Sequence, residues 1–309
     1  MKGLELCKQF FFDVGFPKIK EEIPEVLPYL AVGLGGGSQC HGNDDEVSRD
    51  HGWGPGFAIW LEKDIKTQFE RDLKRVLNSL PKKYLGYGWA DDEEAEHSCP
   101  ILDIDDFMNV KVGVKLAPVV DVEWLAIPEE KIFEVTHFPV FYDAAGEITK
   151  RFNSFKKYYP DDVWIKRLAY HLQEVWKWNV QYVTRSVNRG DIVTAGLLWG
   201  KFAEHTMKVG FLLNREYAPY EKWLYTEFRK LSLLGNEVGD LIARGIHYPS
   251  EISKLTEVVE DLYIHELERM GFEPTEVPDA AYPKSTIQLL EYSIGMYNSI
   301  KNPEIKRFS

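Results

Sequence analysis

Gly33-Leu34-Gly35-Gly36-Gly37-Ser38 is followed by Asp50-His51-Gly52 and then by the apolar run Phe57-Ala58-Ile59-Trp60-Leu61. A glycine-rich turn lets backbone N–H groups approach a phosphate closely, and a helix start at the same place adds the positive end of its dipole. A carboxylate beside a strand can hold Mg²⁺ on that phosphate. Strand, turn, short helix and strand-borne acid in this order predict a phosphate cradle at Gly37 and Ser38 and a metal ligand at Asp50. A run of glycines is also what an ordinary loop contains, so the turn alone decides nothing. Gly52 stands two residues beyond Asp50, where a second acid on the same strand face would complete the usual pair of carboxylates.

Outward from this stretch, Leu4, Cys7, Phe10, Phe11 and Val14 fall near helical spacing, and residues 26–32 lead into the glycines. Residues 63–80 form an amphipathic helix with Ile65, Phe69, Leu73, Val76 and Leu77 on one stripe. Residues 84–106 read as a strand pair around the acidic loop Asp91-Asp92-Glu93-Glu94. Residues 125–135 read as a short helix whose start Pro128 limits. Phe138 to Tyr142 then enters the loop Asp143-Ala144-Ala145-Gly146. Beyond residue 150 helical stripes replace strand alternation, at 161–186, 190–215, 217–233, 250–270 and 284–300, punctuated by glycines and prolines. The pattern predicts an α+β chain of two domains: residues 1–150 with a mixed sheet and flanking helices, and residues 151–309 as an all-α bundle.

The 309 residues carry 49 acids and 37 bases, a net charge of −12. That balance argues against a general nucleic-acid binder, which shows a basic field. No stretch of about 18 uncharged apolar residues predicts a membrane span, and the first residues do not read as a signal peptide. Three cysteines without metal-type spacing fit a reducing cytoplasm.

The Gly-Ser turn and following acid resemble the nucleotidyltransferase superfamily, whose signature is Gly-Ser, nine to thirteen residues, then Asp-x-Asp or Asp-x-Glu. Here Gly37-Ser38 and Asp50-His51-Gly52 match in all but the second acid. The longer run from Gly37 to Phe57 is similar to a prokaryotic family known as domain of unknown function 4037. Two elements found in that family are also present: Tyr158-Tyr159-Pro160-Asp161-Asp162-Val163-Trp164 and Tyr217-Ala218-Pro219-Tyr220-Glu221-Lys222-Trp223-Leu224. The resemblance spans residues 30–235. It implies a nucleotidyltransferase-like first domain and Mg²⁺-dependent transfer of AMP from ATP to a hydroxyl acceptor. It also implies an alternative, in which Gly52 leaves a weakened or inactive homologue that binds a nucleotide or a partner.

Within that reading, Gly37 and Ser38 cradle the phosphates, Arg49 touches a phosphate or instead pairs with Asp45, Asp50 holds metal, and a later acid acts as base. Asp45 and Glu46 are substitute metal ligands, with a solvated or helix-start role as the alternative. Asp44 is read as facing water or favouring a helix start, and His51 as a packed or hydrogen-bonded histidine. The third carboxylate is Asp103 or Asp105, which alternate onto one face of a strand, with Asp121 and Glu123 as a second pair. Tyr220 and Lys222 are expected at the nucleotide from the helical half; as surface lysine and core aromatic they need no ligand. The acidic balance favours a cationic small-molecule acceptor over RNA.

Overall fold

The computed structural model describes residues 1–50, 52–89, 99–278 and 282–308, and of Asp50 only the backbone. The chain is α+β, with a small mixed sheet and many helices. It divides into two compact units. One comprises Met1–Pro118 and Lys131–Lys157, the other Val119–Glu130 and Tyr158–Ser309.

The first unit opens with α1 (Gly3–Phe10), a π-helical segment Phe11–Gly15 and α2 (Phe16–Glu22). A 3-10 turn Pro24–Tyr29 then delivers the chain to β1 (Ala31–Gly33). After the glycine turn come β2 (Ala58–Leu61), α3 (Lys63–Asn78) and the hairpin of β3 (Lys83–Tyr84) and β4 (Tyr87–Gly88). Then follow β5 (Ile101–Asp103), α4 (Ile104–Val112), α5 (Glu129–His137), β6 (Val140–Asp143) and α6 (Glu147–Phe155). Only the first two residues of α5 fall in the second unit's share of the chain. The main sheet has the order β5-β2-β1-β6. β1 is antiparallel to both β2 and β6, and β2 is parallel to β5.

β2 is buried along its whole length, which accounts for an unbroken apolar run where a half-exposed strand would alternate. Ile59 and Leu61 join Phe10, Phe11, Val32, Phe57, Phe69 and Leu73 on one face. Trp60 points the other way, against Phe107 and Phe152 at ring distances of 5.4 and 6.0 Å. Such alternation is the period-2 geometry of a strand.

The second unit is helical. α7 (Asp161–Trp176) runs through a π-helical segment Lys177–Val183 into α8 (Thr184–Asn188), and α9 (Ile192–Leu213) packs along α7. α10 (Glu221–Phe228), α11 (Gly235–His247), α12 (Ile252–Arg269), α13 (Gln288–Ser299) and α14 (Pro303–Arg307) complete it. Trp164, Trp176, Trp199 and Trp223 are buried, while Trp178 is half-buried.

Four expectations need correction. Residues 103–106 are not one strand, because β5 ends at Asp103 and α4 begins at Ile104; Asp103 caps that helix by accepting from the Asp106 N–H at 2.7 Å. Asp50 is not strand-borne: its backbone closes the 3-10 turn Val47–Asp50, and β2 begins only at Ala58. The segment 138–142 is not merely a lead-in to a loop, since Val140–Asp143 is the sheet's β6. Helix α11 begins at Gly235, which reads as a breaker. The acidic loop Asp91–Glu94 and His51 lie outside the described residues.

Candidate functional site

The glycine turn leaves β1 at Gly33, whose α-carbon packs against backbone: a β-carbon there would lie 2.1 Å from the Pro139 carbonyl oxygen. Gly35 sits on the rings of Phe107 and Trp60, whereas Gly36 and Gly37 are exposed. Gly37 has φ of +90°, which favours glycine, and opens the 3-10 turn Ser38–His41. Among the described residues, the backbone N–H groups of Gly35, Gly36, Gly37 and Ser38 donate to no protein acceptor. Four successive N–H groups in that condition make a surface suited to an anion.

Lys111, on the last turn of α4, comes to this turn. Its Nζ is 3.9 Å from where a β-carbon on Gly36 would be. Its ammonium lies 5.0 Å from the centre of the Phe138 ring, 5.8 Å from that of Phe107 and 3.6 Å from the Glu134 carboxylate. Lys111 is absent from the sequence-predicted site because 73 residues separate it from Ser38 and no spacing rule links them.

Residues 44–49 and Gly52 are tied down beside the turn. Gln39 donates from Nε2 to the Gly52 carbonyl at 3.3 Å. Asp44 is 2% exposed and does not face water; it accepts from the Gly3 N–H at 2.7 Å and from Trp53 Nε1 at 3.1 Å. Asp45 is exposed and accepts from the Ser48 N–H and hydroxyl at 2.8 and 2.9 Å, capping the 3-10 turn. Those hydrogen bonds hold its carboxyl below the usual range. Glu46 is exposed. Arg49 stacks over Trp53 at 4.8 Å and donates to the Met1 carbonyl. Gly52 has φ of +61° and open space where a side chain would project.

The remaining carboxylates are placed elsewhere. Asp103 pairs in register with Leu61, and Gly33 with Ala58. The two ends are therefore about 10 Å apart along β2, at about 3.3 Å per residue. Asp105 lies in the first turn of α4, held by Lys115 at 2.8 Å and Arg151 at 2.8 Å. Lys115 first, and then Arg151, keep its carboxyl below the ordinary carboxylate range. Asp121 and Glu123 sit in a 3-10 turn of the second unit. No group of three or more His, Cys, Asp or Glu side chains placed to share a metal ion occurs among the described residues.

In the second unit the two tyrosine-rich elements meet. The Tyr217 ring lies 4.8 Å from that of Tyr158 and 4.9 Å from that of Tyr159. Beneath them Glu129 is buried and accepts from the Ala218 backbone N–H. Burial pushes its carboxyl up to about 7 against the opposing pull of the Arg167 guanidinium. Arg167 stacks on Tyr159 at 4.8 Å and donates from Nη2 to the carbonyls of Trp124 and Ile127 at 3.1 and 2.9 Å. Glu129 Oε1, the Tyr159 hydroxyl and Arg167 Nε are buried with no hydrogen-bond partner among the described residues. A carboxyl that titrates near neutrality can give or take a proton at pH 7. Tyr220 is half-buried at the start of α10, and Lys222 is exposed with its ammonium 5.1 Å from the Trp223 ring.

The family described as Domain of unknown function (DUF4037) matches residues 124–224. The match takes in Glu129, Arg167 and both tyrosine elements, and leaves the Gly37–Gly52 stretch outside it. No curated protein and no solved structure matches the chain.

Proposed function

We propose that the first unit binds a nucleoside triphosphate through its phosphates at the Gly35–Ser38 turn, as the first step of nucleotidyl transfer: AMP from ATP to a hydroxyl of a small-molecule acceptor. The observation that carries this reading is the set of four uncommitted N–H groups with the Lys111 ammonium beside them. Oriented amides and a point-charge lysine are the common partners of phosphate. Mg²⁺ takes oxygen ligands and keeps waters, so one or two carboxylates plus phosphate oxygens suit it. Asp50 is the residue assigned to it, with exposed Glu46 one turn earlier in the sequence as a substitute ligand. The ion would neutralise charge on the phosphates.

A second reading, a nucleotide-binding module with weakened catalysis, is favoured by a specific observation. Asp103 caps α4, Asp105 is ion-paired twice, and Gly52 offers no carboxylate.

Titration calorimetry with ATP, with and without Mg²⁺, tests the site. Lys111→Met keeps the apolar stem and removes the charge, and is expected to weaken ATP binding about tenfold, the equivalent of ~1.4 kcal/mol. Unchanged affinity would remove the turn from consideration. Pyrophosphate release then separates the two readings. Gly52→Asp has room for its side chain, and aspartate tolerates a left-handed backbone better than most residues. A gain in Mg²⁺-dependent ATP affinity in that variant supports a degenerate site; no gain supports a site already complete.

A further inference from the structure

A cavity of about 620 Å³ lies in the second unit alongside α7, lined in part by Lys166, Arg167, Tyr170 and His171 of that helix and by Tyr297 and Phe308 near the C-terminus. The volume suits a ligand of drug or mononucleotide size. No carboxylate lines it among the described residues, although acids outnumber bases in the chain by 49 to 37. Its described wall is therefore cationic in an acidic protein. Lys166 directs its ammonium to the carbonyls of Ile305 and Phe308 and contributes charge more than a donor. Arg167 commits Nη2 to two carbonyls, while its Nη1 donates to no described residue. Tyr170, Tyr297 and Phe308 are 53%, 39% and 41% exposed. They form an aromatic rim on which a flat ring can stack.

His171, also on the wall, carries a directional acceptor. His171 Nδ1 is 2.9 Å from His205 Nδ1. Two neutral imidazoles at that distance must divide roles, one donating and one accepting. His205 Nε2 lies 3.8 Å from a Glu174 oxygen, which favours its proton on Nε2 and leaves its Nδ1 to accept from His171. The tautomer so assigned makes His171 Nε2, which bonds to no described residue, the acceptor that this side chain brings to the cavity. Burial, then His205, Lys208 and Arg167, hold His171 in its neutral form.

We propose that this cavity binds a small organic anion built on a flat ring that also carries a hydroxyl or N–H group. The charge lies toward Arg167 and Lys166, the ring against Tyr170 and Tyr297, and the donor at His171. Aryl carboxylates and nucleoside monophosphates share this chemistry. The site is independent of the glycine turn.

The test is titration calorimetry on the full chain without Mg²⁺, using para-hydroxybenzoate and AMP, with benzylamine and inorganic phosphate as controls. At least one aryl anion is expected to bind at one per chain with a Kd below about 1 mM. The same affinity is expected in Lys111→Met, which separates this site from the glycine turn. Tyr170→Asp, at an exposed position, is expected to weaken binding at least tenfold. Arg167→Gln, checked for folding by circular dichroism, is expected to do the same. Binding of AMP alone assigns a nucleotide, and binding of para-hydroxybenzoate alone an aryl acid. Neither anion binding, equal binding by benzylamine, or unchanged affinity in Tyr170→Asp would overturn the proposal.

Discussion

Single carboxylates in this chain differ in what they can do because their surroundings differ. Asp44 is locked by two buried donors, Asp105 by two cations, and Glu129 by burial with one backbone N–H. Glu129 therefore makes stability depend on pH. Its folded pKa of about 7 lies above the ordinary value of 4.5, so the folded state holds a proton that the unfolded state releases. The associated stability is fully present below pH 4.5 and is lost as pH rises through 7. A shift of that size corresponds to a loss of about 3 kcal/mol by pH 8, at ~1.4 kcal/mol per pH unit. Glu129→Gln keeps an acceptor for Ala218 and has no charge to bury. It is expected to resemble the parent at pH 5 and to exceed it at pH 8 in urea denaturation; parallel curves at both pH values would reject this account. Asp44 illustrates what spacing hides: its neighbours in sequence are exposed acids, and only the fold brings Gly3 and Trp53 to it.

Among the elements, those with strong periodicity were legible. The stripe of Phe69, Leu73 and Val76 on α3 is buried as its spacing predicts, and β2 is a buried strand. The turn at Gly37 with a short helix after it was legible because a glycine run marks a turn that can take positive φ, as Gly37 does at +90°. The boundary at Asp103 was not, since alternation of Asp103 and Asp105 also fits an N-cap followed by an acidic first turn. Helix α11 was hidden by Gly235, which reads as a breaker at its first residue, and it carries Gly239 and Gly245 within it. Close contact accounts for Gly239 and Gly245: a β-carbon on Gly239 would meet the Arg229 side chain at 2.6 Å, and one on Gly245 would meet the Trp199 ring at 2.2 Å. Gly245→Ala would gain up to about 1 kcal/mol of helix propensity and lose about 1–3 kcal/mol to overpacking against Trp199. A net loss of up to about 2 kcal/mol is expected once the full propensity gain is subtracted, read as a lower thermal midpoint; a higher midpoint would show that the helices separate easily at that position.

At the scale of the whole molecule, the second unit claims twelve residues, Val119–Glu130, from the middle of the first unit's chain. Trp124 and Ile127 are each 4% exposed, and their carbonyls receive Arg167. Residues 158–309 alone lack that segment. They are expected to be less stable than residues 119–309 by several kcal/mol, at about 1.5–3 kcal/mol for each large apolar side chain no longer buried. Equal denaturation midpoints for the two fragments would contradict the assignment of 119–130 to this unit. The same threading governs synthesis on the ribosome. Trp124 and Ile127 are made well before Arg167, and Glu129 long before Ala218. At about 5–20 residues per second, the segment waits for seconds with its apolar side chains unmatched. The nascent chain thus has a vulnerable interval, and a chaperone that shields residues 119–130 would act while the chain from Arg167 to Ala218 is still emerging.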